Sequence, residues 1–556
     1  MPEQVLQKEY IIKREKIELP TYEITKDFDE ALRKFDHLRE YINKISKTVG
    51  MPEWYVELRR EMRDIEYPNI VYPVGDPIFI HIYRLPGESL SYVAIEPQLT
   101  DKEKELLEKI LSRIVKFAVE WETKESIQDI YEQLIRLYNR VVSIGKISIF
   151  SDKIMLKNRF QYEKLKYFLI RERLGYGKLE PLIRDPYIED IHILGIGPIW
   201  IVHKVWGMIK TNLDFKDEIE LNKYIIRTSE IVERPVSEAR PIVDAILQDG
   251  SRVNFIYGRD ISLRGSSFTI RKFTKKPISI TQLIKWGTMS AEEAAYLWLA
   301  IENGMNIFVI GETASGKTTT LNALTTFIRP DWKVYSVEDT PELNIPHPIW
   351  QRLVTRQTGK TTDVEMYDLL KASLRSRPNY ILVGEIRGKE GYVAFQAMQT
   401  GHPVMSTFHA GSLSQLIERL TGEPINIPIT FIDNLNIVVL QGTVYIKGKM
   451  ERRVLSIYEI ERYVPEIKRM AAREVFVWDR LKDKHVFRGK YNSYILERKI
   501  APMLRLDNPK KIYDILEFRA KILKRMVEEE IFDFYEVWEV LKRFYEYGPA
   551  GLPFAV

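Results

Sequence analysis

Gly311, Glu312, Thr313, Ala314, Ser315, Gly316, Lys317 and Thr318 fill the spacing G-x-x-x-x-G-K-[ST], with Thr319 adjoining. The chemistry of that spacing is phosphate binding. Glycines let backbone N–H groups turn inward as a nest for phosphate oxygens at the positive end of a helix dipole. Lys317 is placed to reach the β- and γ-phosphates, and Thr318 to give a hydroxyl to Mg²⁺. The positioning elements are visible on either side. Asn306 to Ile310 is short, apolar and rich in β-branched residues, and good helix formers follow from Thr319. This is strand, loop, helix, the context that the motif requires.

Three later segments place reactive side chains just after apolar runs, where an open α/β sheet collects its ligand-binding groups. KVYSVEDTPEL carries Glu338 and Asp339, either to polarise an attacking water or to cap the next helix. YILVGEIRG has the apolar strand of a Walker B element, but Gly384 stands where Asp is usual and Glu385 follows. Thr318, water and Glu385 are then left to hold the metal. TGHPVMSTFHAGS offers His402 and His409, two of only eight histidines. An imidazole near a γ-phosphate can donate a hydrogen bond to it. Arginines suited to phosphate charge are Arg352, Arg356, Arg375 and Arg377, and upstream Arg240, Arg252, Arg264 and Arg271. Position in the sequence does not select among them.

Around these motifs the chain divides into five stretches. Residues 1–63 read as a mixed-charge helical extension, and residues 64–125 as a small α/β domain whose helix from Leu99 to Trp121 is capped by Thr100 and Glu103. Residues 126–275 read as a second α/β domain, opening with a helical stretch to about Leu174 and ending at the linker FTKKPISI. Residues 276–462, where Ser290 and Glu293 form a capping box, alternate strand and helix as a parallel sheet requires. Residues 463–556 are charged and mostly helical after a short β-like stretch. The size prior suggests roughly three or four domains.

Composition narrows the function. At 45% apolar and 29% charged, the 556 residues are those of an ordinary soluble protein. The absence of cysteine excludes disulfides and thiolate-bound zinc or iron–sulfur sites, and fits a reducing compartment. A net charge of +5 is small for a nucleic-acid binder. No apolar run approaches the ~18 residues of a membrane span, and MPEQVLQKEYIIKREKIELP lacks a signal peptide's apolar core. The expectation is a cytoplasmic protein, recruited to a membrane if it works there.

Taken together, RPVSEARPIVDAILQDGSRVN, GSSFTIRKF, GETASGKTTTLNAL, YSVEDTPEL, ILVGEIRG and STFHAGS resemble the type II/IV secretion ATPase superfamily, over about residues 165 to 445. NIVYPVGDPIFIHIY, FVWDR and FRGKYNSYILE, with the helical tail, resemble its archaeal branch, the archaellum motor and type IV pilus assembly ATPases. The resemblance implies an N-terminal domain and a RecA-like domain clamping Mg-ATP in a homo-hexameric ring, recruited to the inner face of the membrane by a polytopic platform protein. By the same analogy Glu338 is the general base, Glu385 supports Mg²⁺ and water, His409 belongs to the histidine box, and Arg252 and Arg271 approach the nucleotide from the N-terminal domain. The four-cysteine zinc module of many bacterial relatives is missing. The alternative function is a ring-shaped nucleic-acid motor, which calls for concentrated lysines and arginines; Lys275 with Lys276 and Lys510 with Lys511 are small, scattered clusters.

Overall fold

A computed structural model describes residues 22–117, 127–145, 153–273, 276–356, 363–446, 448–467 and 469–556. The first 21 residues of the expected extension, the end of the helix expected to reach Trp121, and Lys275 with part of the linker therefore lie outside the described residues. The chain forms two compact units, Met1–Phe273 and Thr274–Val556.

In the first unit the strands are β1 (Glu53–Trp54), β2 (Asn69–Pro73), β3 (Phe79–Tyr83), β4 (Ser91–Ile95), β5 (Val142–Ile144), β6 (Ile154–Leu156), β7 (Ile188–Ile193), β8 (Gly197–His203), β9 (Gly207–Phe215), β10 (Ile242–Ile246), β11 (Arg252–Ile256) and β12 (Ser267–Arg271). Ten form one sheet in the order β1-β2-β3-β4-β9-β8-β7-β12-β11-β10. The strands of residues 64–125 and of residues 126–275, read from sequence as belonging to separate domains, thus share a sheet. The junction has identifiable causes. Ser91 and Tyr92 of β4 pair in parallel with Lys210 and Thr211 of β9. Where that ladder ends, the Asn212 amide continues it, accepting from Ala94 N at 2.8 Å and donating to Ala94 O at 3.1 Å. Beneath, the fully buried Asp185 accepts from the hydroxyls of Tyr72 (2.7 Å) and Tyr92 (2.9 Å). A buried carboxylate left unpaired is costly, so these bonds fix the two segments together.

The helical stretch expected from residue 126 to 174 is interrupted. Helices Ile127–Val141 and Arg159–Arg173 are separated by β5 and β6, which pair in parallel. The helix after Thr100 spans Asp101–Phe117, with Thr100 N donating to Glu103 Oε2 at 2.9 Å. Helices Phe28–Lys34 and Asp36–Val49 lay Ala31, Phe35, Leu38 and Ile42 on Val71, Phe79 and Ile95 of the sheet.

The second unit holds β13 (Ile307–Gly311), β14 (Val334–Glu338), β15 (Trp350–Val354), β16 (Tyr380–Glu385), β17 (Val404–His409), β18 (Ile437–Ile446), β19 (Lys449–Val464), β20 (Arg469–Asp479) and β21 (Lys484–Phe487). Their order is β15-β14-β16-β17-β13-β18-β19-β20-β21. The first six run parallel and the last three join by antiparallel pairing. Ile307, Phe308, Val309 and Ile310 are wholly buried, as a parallel strand covered on both faces requires. This is an α/β, RecA-like unit. Helix Ala291–Glu302 starts at the Ser290–Glu293 capping box. Beyond residue 463, β20 and β21 extend the same sheet, and helices Ile512–Glu528 and Phe534–Tyr547 pack Leu516, Leu523, Val537 and Leu541 into its core.

Candidate active site

Parallel strands all end on one side of their sheet, and the order β14-β16-β17-β13 sets four of those ends next to one another. They carry Glu338, Glu385, His409 and Gly311. Gly311 pairs with His409, and Glu385 with Thr407 two residues earlier on β17, so the register brings these residues to the same edge of the sheet.

The loop after β13 is shaped by two close approaches. A Cβ on Gly311 would meet the Gln441 carbonyl oxygen at 2.2 Å. Gly316 caps helix Lys317–Leu324 with φ +92°, and a Cβ there would meet Gln441 Nε2 at 3.0 Å and Arg452 Cδ at 3.1 Å. The positive φ favours glycine at 316, and the two side chains leave a Cβ little room there. Ala314 also sits in the left-handed region, at φ +61°. The Glu312 carbonyl gathers the loop, accepting from Ser315 Oγ and from Lys317 Nζ, each at 2.8 Å. The Lys317 pKa is pushed down by burial, and the facing Glu385 carboxylate offsets part of that shift. Thr318 and Thr319 are partly exposed at the start of the helix, and Glu312 and Thr313 are exposed.

Glu338 is 1% exposed. Its Oε1 accepts from the backbone N–H groups of Glu342 and Leu343, both at 2.7 Å, and Arg352 Nε donates to Oε2 at 3.2 Å. Burial pushes its pKa up to about 7, against the pull of Arg352 and the two amides. Three donors occupy a carboxylate that has about four acceptor positions, which leaves one toward Oε2. Gly384 has a steric role here, because a Cβ at that position would lie 3.3 Å from Glu338 Cγ.

Glu385 contacts Arg387 through Oε2, and its Oε1 lies 3.6 Å from His409 Nε2. That Oε1 is buried with no hydrogen-bond partner. Burial, then the Lys317 charge, hold the His409 pKa below its usual value, so the ring is neutral at pH 7. Among the described residues no group of three or more His, Cys, Asp or Glu side chains could hold a metal. The unpartnered Glu385 oxygen and the Thr318 hydroxyl instead suit Mg²⁺, which is held by few protein oxygens and completes its shell with phosphates and water.

The other candidates separate by position. His402 precedes β17 and bonds Thr400, so a whole strand lies between it and His409. Arg375 and Arg377 are exposed ahead of β16, at the strand's entry end and not beside Glu385. Arg356 pairs with Val364 across a bridge. Arg240, Arg252, Arg264 and Arg271 belong to the first unit. There Arg252 and Arg271 stand directly opposite each other on β11 and β12, with Asp190 3.5 Å from Arg271. Arg240 and Arg264 are exposed. Of the basic clusters, Lys510 pairs with Glu497 and Lys511 with Asp507, and Lys276 lies 3.5 Å from Asp533. Sequence reading missed Arg387, Gln441 and Arg452. Only Arg387, two residues after Glu385, had a local signal.

The family described as Type II/IV secretion system protein matches residues 172–441. The chain is 51% identical over 543 residues to an uncharacterised protein of Methanocaldococcus jannaschii, covering 95% of this chain and 98% of that one. It is 32% identical over 268 residues to the type IV secretion system protein PtlH of Bordetella pertussis, covering 44% of this chain and 78% of PtlH. The chain belongs to the type II/IV secretion system protein family. Among solved structures, the VirB11 ATPase of the Brucella suis type IV secretion system, in complex with sulphate, matches at 25% identity with a TM-score of 0.26, over 51% of this chain and 93% of that one. In this family member no helix of the described residues is long and apolar enough to cross a membrane.

Proposed function

We propose that this member of the secretion family hydrolyses Mg-ATP, working as a homo-hexamer that drives assembly or movement of a pilus or archaellum filament, or secretion, from the inner face of the membrane. The observation that carries the reading is that Glu338, Glu385, His409 and Gly311 end four adjacent parallel strands, with Lys317 on the glycine-shaped loop and helix that follow Gly311. In this reading Gly311 to Thr319 enclose the phosphates. The Lys317 ammonium neutralises charge on the transferred group, and Thr318 and Glu385 hold the Mg²⁺ that arrives with ATP. Mg²⁺ supplies charge neutralisation across the phosphate oxygens. Glu338 takes the proton of the attacking water at Oε2, a role that a carboxyl titrating near neutrality performs well. His409 is neutral and donates to the γ-phosphate from the tautomer that carries its proton on the facing nitrogen.

Two opposed arginines support a coupling role for the first unit. Arg252 and Arg271 are opposite each other on β11 and β12, and planar guanidinium groups suit phosphate charge. Binding of the γ-phosphate and its loss on hydrolysis then favour different conformational states of the subunit, which is how a ring of such subunits does work. By the family resemblance, recruitment runs through a polytopic membrane partner. The test is steady-state Mg-ATP turnover by the purified chain and by Lys317→Ala. Turnover that depends on Lys317 supports the reading, and equal turnover by the two proteins refutes it.

A further inference from the structure

Beyond β13 the sheet continues into a long hairpin, in which the ladder of β18 and β19 runs from Ile437↔Glu459 to Ile446↔Lys449. Only Ile437 to Leu440 pair with β13. The part that follows, from Gln441 onward, runs past the end of β13 and alongside the phosphate loop. Its side chains meet that loop. Arg452, paired with Thr443, donates from Nε to the Ala314 carbonyl at 3.0 Å. Its Cδ and Nε lie 3.1 and 3.7 Å from where a Gly316 Cβ would be. Gln441, 2% exposed, brings its amide nitrogen within 3.0 Å of the same point, and its Oε1 is buried without a partner.

The contact falls on the strained part of the loop. Ala314 is a non-glycine residue at φ +61°, a left-handed conformation that L-residues hold only where their surroundings enforce it. A guanidinium donating to the carbonyl of that residue enforces it. A hydrogen bond from a charged donor is also about twice as strong as a neutral one. With its carbonyl held by Arg452, the Ala314 turn keeps its conformation before a phosphate arrives, so binding does not have to order it. The positive charge beside the loop adds to the field on an incoming polyphosphate.

We infer that Arg452 is a positioning residue for the nucleoside triphosphate, supplied in cis by the β18–β19 hairpin, which holds the Ala314 to Gly316 turn in its phosphate-binding conformation. The inference rests on the nucleotide reading of the loop given above. The experiment measures affinity for a fluorescent ADP analogue, together with KM and kcat for Mg-ATP, in the full chain carrying Arg452→Ala, Arg452→Lys or no change, with Lys317→Ala alongside. Arg452→Ala should weaken nucleotide affinity and raise KM about tenfold while kcat at saturating ATP changes less than about threefold. Arg452→Lys, which keeps a charged donor, should recover most of the loss. A merely structural role would lower stability without this split and without rescue by lysine.

Should Arg452→Ala fail to fold, the lysine variant carries the test. It retains near-normal affinity if the charge and donor matter, and an affinity loss above about tenfold in a folded Arg452→Lys protein overturns the inference. Unchanged affinity and KM in folded Arg452→Ala overturn it while leaving the nucleotide reading intact. If the unchanged protein neither binds the analogue nor shows Lys317-dependent turnover, the nucleotide reading fails and the inference falls with it.

Discussion

Replacing Glu338 by Gln separates two effects that a single buried carboxyl combines. The amide is isosteric, and its oxygen can still accept from the backbone N–H groups of Glu342 and Leu343. The charge facing Arg352 Nε is lost. Burial raises the Glu338 pKa from the ordinary 4.5 of an unfolded chain to about 7. Below pH 4.5 the carboxyl is protonated in both states and contributes no pH dependence. Between pH 4.5 and 7 the folded chain retains a proton that the unfolded chain has released, so stability falls as pH rises, by about 3 kcal/mol in total. The substituted amide cannot titrate. The stability difference between wild type and Glu338→Gln should therefore move by about 3 kcal/mol in favour of the variant from about pH 4.5 to about pH 8, and urea unfolding across that range measures it. The same group predicts the rate profile. Wild-type turnover should rise as pH climbs through about 7, and Glu338→Gln should bind nucleotide normally but turn over roughly a hundredfold more slowly or worse. A stability difference that does not change with pH would refute the burial argument. Equal turnover by the two proteins would move the base to Glu385.

Lys317→Ala should abolish ATP turnover while leaving the melting temperature nearly unchanged, since the hydrogen bond that its ammonium donates within the described chain goes to the Glu312 carbonyl; turnover assays and calorimetry check this. Glu385→Gln should shift the Mg²⁺ concentration needed for half-maximal turnover upward, because its unpartnered oxygen becomes half of a neutral amide; a Mg²⁺ titration reads it. Gly384→Asp should destabilise the chain by about 1–3 kcal/mol at about pH 8, since its Cβ crowds Glu338 Cγ at 3.3 Å and its charge faces a carboxylate; Gly384→Ala, with the crowding alone, should cost less in the same unfolding assay. If arginines from another unit or subunit complete the site, turnover per subunit should rise with protein concentration, and the membrane-bound fraction in cells should vanish when the platform partner is deleted.

Sequence made the phosphate loop legible because every constraint on it is local: apolar strand, glycines, lysine and helix follow one another directly along the chain. Glu338, Glu385 and His409 were readable for a related reason. Each terminates a short apolar run, and strands of a parallel sheet all end on one side. What sequence did not reveal depends on distant pairings. Arg452 lies 138 residues from the carbonyl it bonds, and nothing in ERRVLSIYE marks it off from other surface arginines. The common sheet of residues 64–125 and 126–275 was hidden likewise, because it rests on Asp185 reaching Tyr72 and Tyr92 across 113 and 93 residues of chain.

The missing aspartate at position 384 shows how such distant contacts change the meaning of a motif. Read along the chain, Gly384 looks like a loss of the residue that usually helps to hold Mg²⁺. Across the sheet it has another consequence. β14 and β16 are neighbours, and the Glu338 side chain lies against the bare Cα of Gly384. An aspartate there would set two carboxylates against each other in a buried place where Arg352 is the cation paired with Glu338. One of the two would have to remain protonated. Glycine removes that conflict and lets Glu338 titrate against burial, Arg352 and two backbone amides. The departure at 384 and the near-neutral pKa at 338 are thus parts of one arrangement, which is why Gly384→Asp should disturb proton transfer at Glu338 as well as packing.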